Sequence, residues 1–259
     1  MEWKNLCETV DRYVKPLTFP VAVAVLDRKE AVPKARTPLS AFGHSLALCQ
    51  GIALARRFGW KIAFHEEDWG CAVGMSFFGF GGKRPPEMDG EIACPLYTET
   101  PEGGISLQNA MPQLPQGKAQ TIIIAGGGRA DFDPDVAVIY GMPSQIARCV
   151  QGALWQTGEP VASSFPGRAN CGYEIILPIV TGRYQVILPG GGERAFAGTQ
   201  DFEMSFAVPK SLFGSFARGL EESHRAGANR VPTPALNILC EPAMPPQYDS
   251  LARFLGKKK

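Results

Sequence analysis

The chain has 259 residues, with 26 Lys plus Arg against 25 Asp plus Glu and a formal net charge of +1. That balance excludes a nucleic-acid binder relying on a broad basic field, and equally an acidic-tail protein. Hydrophobic residues at 45% and charged residues at 20% exclude disorder for most of the length. The excess lies in 29 Gly, 22 Pro and 7 Cys, so the chemistry is to be sought among turns and thiols.

The stretch from Met1 to Cys7 is mixed in polarity and carries no signal-peptide pattern, and no apolar run approaches the length of a bilayer crossing. These features predict a soluble, cytoplasmic protein with no membrane or nucleic-acid partner. In a reducing cytosol the cysteines are core thiols, metal ligands or reactive groups rather than a disulfide framework.

Pro20–Leu26 is β-branched and continuous and reads as a buried strand. Thr37 followed by Pro38 opens a helix to about Arg57, which Gly59 stops. Lys61–Phe64 is a short strand, and Asp68 caps a second helix through Phe77. Residues 79–118 are punctuated throughout by Gly and Pro and predict a long irregular insertion, either a lid or binding loop or a surface meander. Thr121–Ala125 and Val136–Tyr140 are strands. Pro143 opens a helix to about Gln156, Val161–Ser163 is a short strand, and Asn170 caps a helix to about Ile179. Tyr184–Leu188 and Met204–Val208 add strands, Leu212–Glu222 is a terminal helix, and a Pro-rich segment ends in the solvated tail Lys257–Lys259. The alternation predicts one α/β domain over residues 1–259, built on a mixed sheet.

Cys49 and Cys71 stand 22 positions apart, as do Cys149 and Cys171, and one shift of 100 relates the pairs. At that shift Ala47, Ala53 and Leu54 match Ala147, Ala153 and Leu154. The pattern predicts internally duplicated β-α-β-α units, about 19–78 and 134–188, packed about a pseudo-twofold axis that draws equivalent cysteines together.

The elements PVAVAVL, LCQGIALARRFGW with a cysteine 22 positions on, DVAVIYGMPSQIARCVQGALWQTGEPV, SFPGRANCGYEIILP and YQVILPGGGERAFAGTQDFEMSFAVP resemble the domain of unknown function 169 family over about residues 5 to 225. The resemblance implies one soluble prokaryotic domain and supplies no substrate, because that family has no assigned activity.

Cys49 and Cys149 lie on apolar helical stripes, where cysteine acts as a small buried hydrophobe. Cys71 and Cys171 are expected in first helical turns, where the macrodipole lowers a thiol's pKa. Four thiols meeting at one point would match a zinc site or an iron–sulfur cluster, although no Cys-x-x-Cys occurs to choose between them. Cys7, Cys94 and Cys240 have no repeat partner and read as structural.

Two strands run into three glycines and an arginine: Gly126-Gly127-Gly128-Arg129 and Gly190-Gly191-Gly192-Glu193-Arg194. Such turns let backbone N–H groups approach an anion while a guanidinium holds it. Neither is a Walker A loop or a GxGxxG turn opening a helix, and neither a zincin histidine pair nor a Gly-x-Ser-x-Gly occurs. Arg168 stands three residues before Cys171, so Arg168, Cys171 and Arg194 form the best local constellation. Three readings follow. The first is a thiolate cofactor protein with a redox accessory role and a redox partner protein. The second is an enzyme or sensor holding a small anionic ligand through Arg129, Arg168, Arg194 and Gly190–Gly192. The third is a non-catalytic module binding a partner, a second copy of itself included, through an exposed Phe77–Phe80 edge.

Overall fold

A computed structural model describes residues 2–82, 86–228 and 249–256. Met1–Asn229 form one compact unit and Arg230–Lys259 a second. In the second unit the described element is a helix, Asp249–Phe254. Cys240 and the Lys257–Lys259 tail lie outside the described residues.

Within the first unit six strands, β1 (Val21–Leu26), β2 (Lys61–Phe64), β3 (Thr121–Gly126), β4 (Val136–Gly141), β5 (Gln185–Ile187) and β6 (Met204–Pro209), form one sheet in the order β2-β3-β1-β4-β6-β5. The α/β class stands, but every pairing of these strands is antiparallel rather than mixed. The reason is topological. β1 and β2 run the same way with β3 inserted between them, and β6 is inserted in the same manner between β4 and β5. Each helical crossover therefore spans a split β-α-β unit. A continuous apolar run reports burial on both faces of a sheet but not the direction of its neighbours.

Alternate strand residues feed two cores. Val21, Val23, Ile122, Ile124, Val136 and Val138 enter one, while Ala22, Ala137, Ile139, Phe206 and Val208 enter the other. The first core is covered by α3 (Leu48–Phe58) through Leu48, Ile52 and Ala55, and by Tyr173, Ile175 and Ile176 of a π-helical turn, Gly172–Ile176, that runs into α8 (Leu177–Thr181). The second is covered by α1 (Glu2–Tyr13), α7 (Pro143–Leu154) and α10 (Phe213–Ala226). Each buried Leu, Ile or Phe stabilises the fold by roughly 1.5–3 kcal/mol of transfer free energy.

Several local expectations change. The first long helix is broken into α2 (Pro38–Phe42) and α3, because Gly43 adopts φ 74° and ends the first segment. Residues 79–118 are not irregular throughout. They hold α5 (Pro86–Ala93) and α6 (Pro101–Ala110), whose N-terminal prolines are the very residues that looked like breakers. The two helices cross closely at glycine: a β-carbon on Gly104 would stand 2.8 Å from the Gly90 carbonyl oxygen. Val161–Ser163 is not a strand. Phe77 and Phe78 are fully buried and Phe80 nearly so, so the expected exposed aromatic edge is part of the core.

The presumed equivalent helices α3 and α7 serve opposite cores. No twofold axis therefore brings Cys49 to Cys149, and the sheet stands between them.

Candidate functional site

A cavity of about 170 Å³ opens beside the first core. Its walls come from segments far apart in sequence: Ala47–Cys49 at the start of α3, Cys71 and Gly74 around the start of α4 (Ala72–Phe77), Tyr97, Arg168–Cys171, and Gly190, Gly192, Glu193 and Phe196 of α9 (Gly191–Ala197) with its cap. Three of the four repeat cysteines, Cys49, Cys71 and Cys171, line it. Cys149 does not: it is fully buried in the second core among Ile146, Phe213 and Phe216, which corrects the four-thiol expectation.

Gly74 lies under Trp69. A β-carbon there would stand 3.7 Å from Cys71 Sγ and 3.8 Å from Cys171 Sγ, so both sulfurs flank one point. Cys71 is itself the N-cap of α4 and accepts the Gly74 N–H at 3.4 Å. Asp68, expected in that role, is buried and instead accepts the N–H groups of Leu39 and His65, each at 3.0 Å.

The electrostatics invert the expectation of an activated thiol. Burial pushes Cys49 up to about 12, with Glu193 adding to the rise. Burial likewise holds Cys171 well above the ordinary thiol value, and the neighbouring Cys49 and Cys71 reinforce it. A helix N-terminus contributes about 1 kcal/mol or less, whereas one pKa unit corresponds to about 1.4 kcal/mol, so desolvation wins. These groups are neutral thiols until something displaces their protons.

Of the predicted arginines, only Arg168 is at the pocket. It is 5% exposed, and its guanidinium lies 4.7 Å from the Tyr97 ring centroid. Arg194 points outward, donating to the Gln200 carbonyl at 2.7 Å and to Asp201 at 3.0 Å. Arg129 donates to the Gly59 carbonyl at 3.2 Å, at the end of α3. The first glycine run is a packing device: a β-carbon on Gly126 would stand 1.9 Å from the Ala55 carbonyl oxygen. In the second, Gly190 and Gly192 line the pocket and Gly191 does not. No three His, Cys, Asp or Glu side chains are placed to hold a single metal ion among the described residues.

Residue-type reasoning missed two acids. Glu174 is fully buried on the π-turn and Glu193 is 5% exposed. Both carboxyls are held above the ordinary glutamate range, first by burial; Glu193 also raises Glu174, whereas the Gly190 N–H and Asn170 amide oppose the rise at Glu193. A signal was present: Glu174 is a lone acid inside the apolar run Tyr173-Glu174-Ile175-Ile176-Leu177. π-turns occur frequently at functional sites. Nearby, Arg56 is buried, forms a bidentate pair with Glu203 and lies 4.2 Å over the Tyr140 ring.

A model of a family described as uncharacterised ArCR proteins, the domain of unknown function 169, matches residues 9–219. No curated protein and no solved structure matches the chain. No helix among the described residues is long and apolar enough to cross a membrane.

Proposed function

The chain belongs to this uncharacterised ArCR family, whose description names no activity, and we propose from the geometry that the pocket holds a thiolate-bound redox cofactor, an iron–sulfur cluster. The ligands are Cys49, Cys71 and Cys171, and the role is that of an electron-transfer accessory to a partner protein. The observation that carries the reading is the convergence of three thiols, from positions 22 and 100 residues apart, on one cavity. A mononuclear zinc site needs its sulfurs about 2.3 Å from one point, and no three such side chains among the described residues are placed to hold a single ion. A polynuclear group filling the space between them fits better.

Loading requires the thiols to lose protons, so assembly is favoured at higher pH and by the cations that replace them. Arg168 and Asn170 would stand beside a group held by these thiols, since they line the same cavity. Anaerobic reconstitution with ferrous iron and sulfide should give visible absorption and stoichiometric iron and sulfide. These are lost in Cys49→Ser, Cys71→Ser and Cys171→Ser but kept in Cys149→Ser. A folded protein that takes up no iron, or one that loses its iron in Cys149→Ser alone, refutes the reading.

A second reading, a small polar organic ligand, is favoured by Asn170. Its Oδ1 is buried with no hydrogen-bond partner on the pocket wall, while its Nδ2 donates to Leu188 and Glu193. Thermal-shift screening of hydroxy acids against wild type and Asn170→Ala distinguishes it: stabilisation that depends on Asn170 supports a ligand, and its absence removes one.

A further inference from the structure

A second cleft, of about 640 Å³, runs along β5 and shares no lining residue with the thiol pocket. Among the described residues β5 is the outermost strand at its end of the sheet. Ile187 enters the first core, while Tyr184 and Val186 pack against the second. The cleft therefore straddles the sheet edge, with Leu177 of α8 on one side and Ala153 of α7 on the other. Left-handed glycines shape both approaches: Gly158 (φ 71°) turns the chain after α7, and Gly182 (φ 64°) turns it from α8 into β5. Residues 159–164, which were expected to hold a strand, border the cleft instead. They occupy the edge through a side chain, since the Val186 N–H donates to the Ser163 hydroxyl at 2.8 Å.

Gln185 lines this cleft and is only 6% exposed, and its Oε1 is buried with no hydrogen-bond partner among the described residues. A buried amide oxygen left unpaired destabilises a fold, and the other two residues of β5 are apolar. The nearby hydroxyls have the opposite need. Ser163 accepts the Val186 N–H and Thr157 accepts the Glu159 N–H at 3.1 Å, which leaves the O–H of each to donate. A carboxylate or an ionised phosphate only accepts and cannot satisfy Gln185 Oε1. An ammonium only donates and cannot use the two O–H groups. A ligand hydroxyl does both. The charged side chains on the wall are Glu159 and Arg183, one of each sign and both exposed, so neither sign of ligand is selected. Leu177, Leu212 and Val161 add apolar surface.

We propose that this cleft binds an uncharged polyhydroxylated ligand, a sugar or sugar-like polyol. Gln185 accepts from one ligand hydroxyl, Ser163 and Thr157 donate to others, and the leucines pack against the C–H face of the ligand. The volume lies within the range of about 300–1,000 Å³ usual for small-molecule sites, which combine apolar walls with a few placed polar groups. Tyr184 is tilted against Phe206 and Phe216, with ring centroids 5.7 and 5.8 Å away, so Gln185 is presented from an anchored strand. A peptide strand is not the occupant, because the outward Val186 N–H is already taken. The proposal is independent of the thiol pocket and of any cluster there.

Saturation-transfer NMR on the full chain tests it, with glucose, maltose and glycerol as neutral probes and citrate and spermidine as charged ones. At least one neutral probe should receive saturation, with an affinity that holds as salt is raised, because no net charge is engaged. Gln185→Met should weaken that binding about tenfold, the loss of one hydrogen bond. Thr157→Val should weaken it several-fold, and Cys171→Ser should leave it unchanged. Silence from all three neutral probes, or preferential binding of citrate or spermidine, overturns the proposal. So does full affinity in Gln185→Met, or a loss in Cys171→Ser, which would put the sugar in the thiol pocket. Should Gln185→Met fail to fold, Thr157→Val on the exposed loop decides: weakened binding supports the site, and undiminished binding refutes it.

Discussion

Glu193 and Arg194 are neighbours in sequence that face opposite environments: Glu193 is 5% exposed on the pocket wall, while Arg194 reaches out to an exposed Asp201. Successive helical residues are separated by about 100° around the axis, so α9 can direct only one of the two inward. The glycine run opening α9 therefore serves an acid rather than the arginine, and the chemistry of the site is that of thiols and carboxyls.

Cys149 tests the division between the two cores. Cys149→Ser places a hydroxyl in a fully buried apolar setting, and should lower unfolding free energy by about 1–3 kcal/mol in urea titrations. Iodoacetamide should label Cys149 only in the unfolded protein, since burial holds its thiol far above the ordinary value. Labelling of the native protein would place Cys149 elsewhere.

Gly126 tests how α3 is seated on the sheet. An added β-carbon would meet the Ala55 carbonyl oxygen at 1.9 Å, so backbone must move. Gly126→Ala is expected to cost at least about 1–3 kcal/mol. At Gly128 nothing lies within 4 Å, and Gly128→Ala should stay within about 0.5 kcal/mol. Equal effects in chemical denaturation would contradict this packing.

Arg56 and Glu203 form the buried ion pair beneath the site. Glu203→Gln or Arg56→Met alone strands a charge and should cost about 3–5 kcal/mol, whereas the double substitution should recover much of that loss. A double-mutant cycle with no coupling would show that the pair contributes no mutual stabilisation.

The Glu174 carboxyl sets a pH dependence with a definite sign. Its folded-state affinity for the proton exceeds the ordinary 4.5, chiefly through burial. The unfolded chain therefore releases that proton first, and the stabilisation, complete below about 4.5, is lost as pH rises from there towards the folded value. Glu174→Gln removes this term. Unfolding free energies between mildly acid and neutral pH should fall less steeply with pH in the variant than in wild type, and an identical slope would show that Glu174 ionises normally.

The strands were legible because burial on both faces leaves an unbroken apolar signature: Lys61–Phe64 has its expected bounds, and the others except Val161–Ser163 shift by at most a residue at either end. Cys71 and Cys171 stood out in the sequence by their spacing, but the duplication which that spacing predicted is not what brings them together. The prolines at Pro86 and Pro101 were read as breakers, because the same residue that ends one helix pre-organises the first turn of the next.

Composition, hydrophobic runs and cysteine spacing by themselves determined the α/β class and which thiols and glycines merited attention, while the resemblance of whole segments pointed to the family. Only the tertiary structure decided which of them meet. Strand direction, the face of the sheet that a helix covers, and the inward or outward rotation of Glu193 and Arg194 all depend on contacts between segments distant in sequence, so three cysteines share a cavity while the fourth lies beyond the sheet.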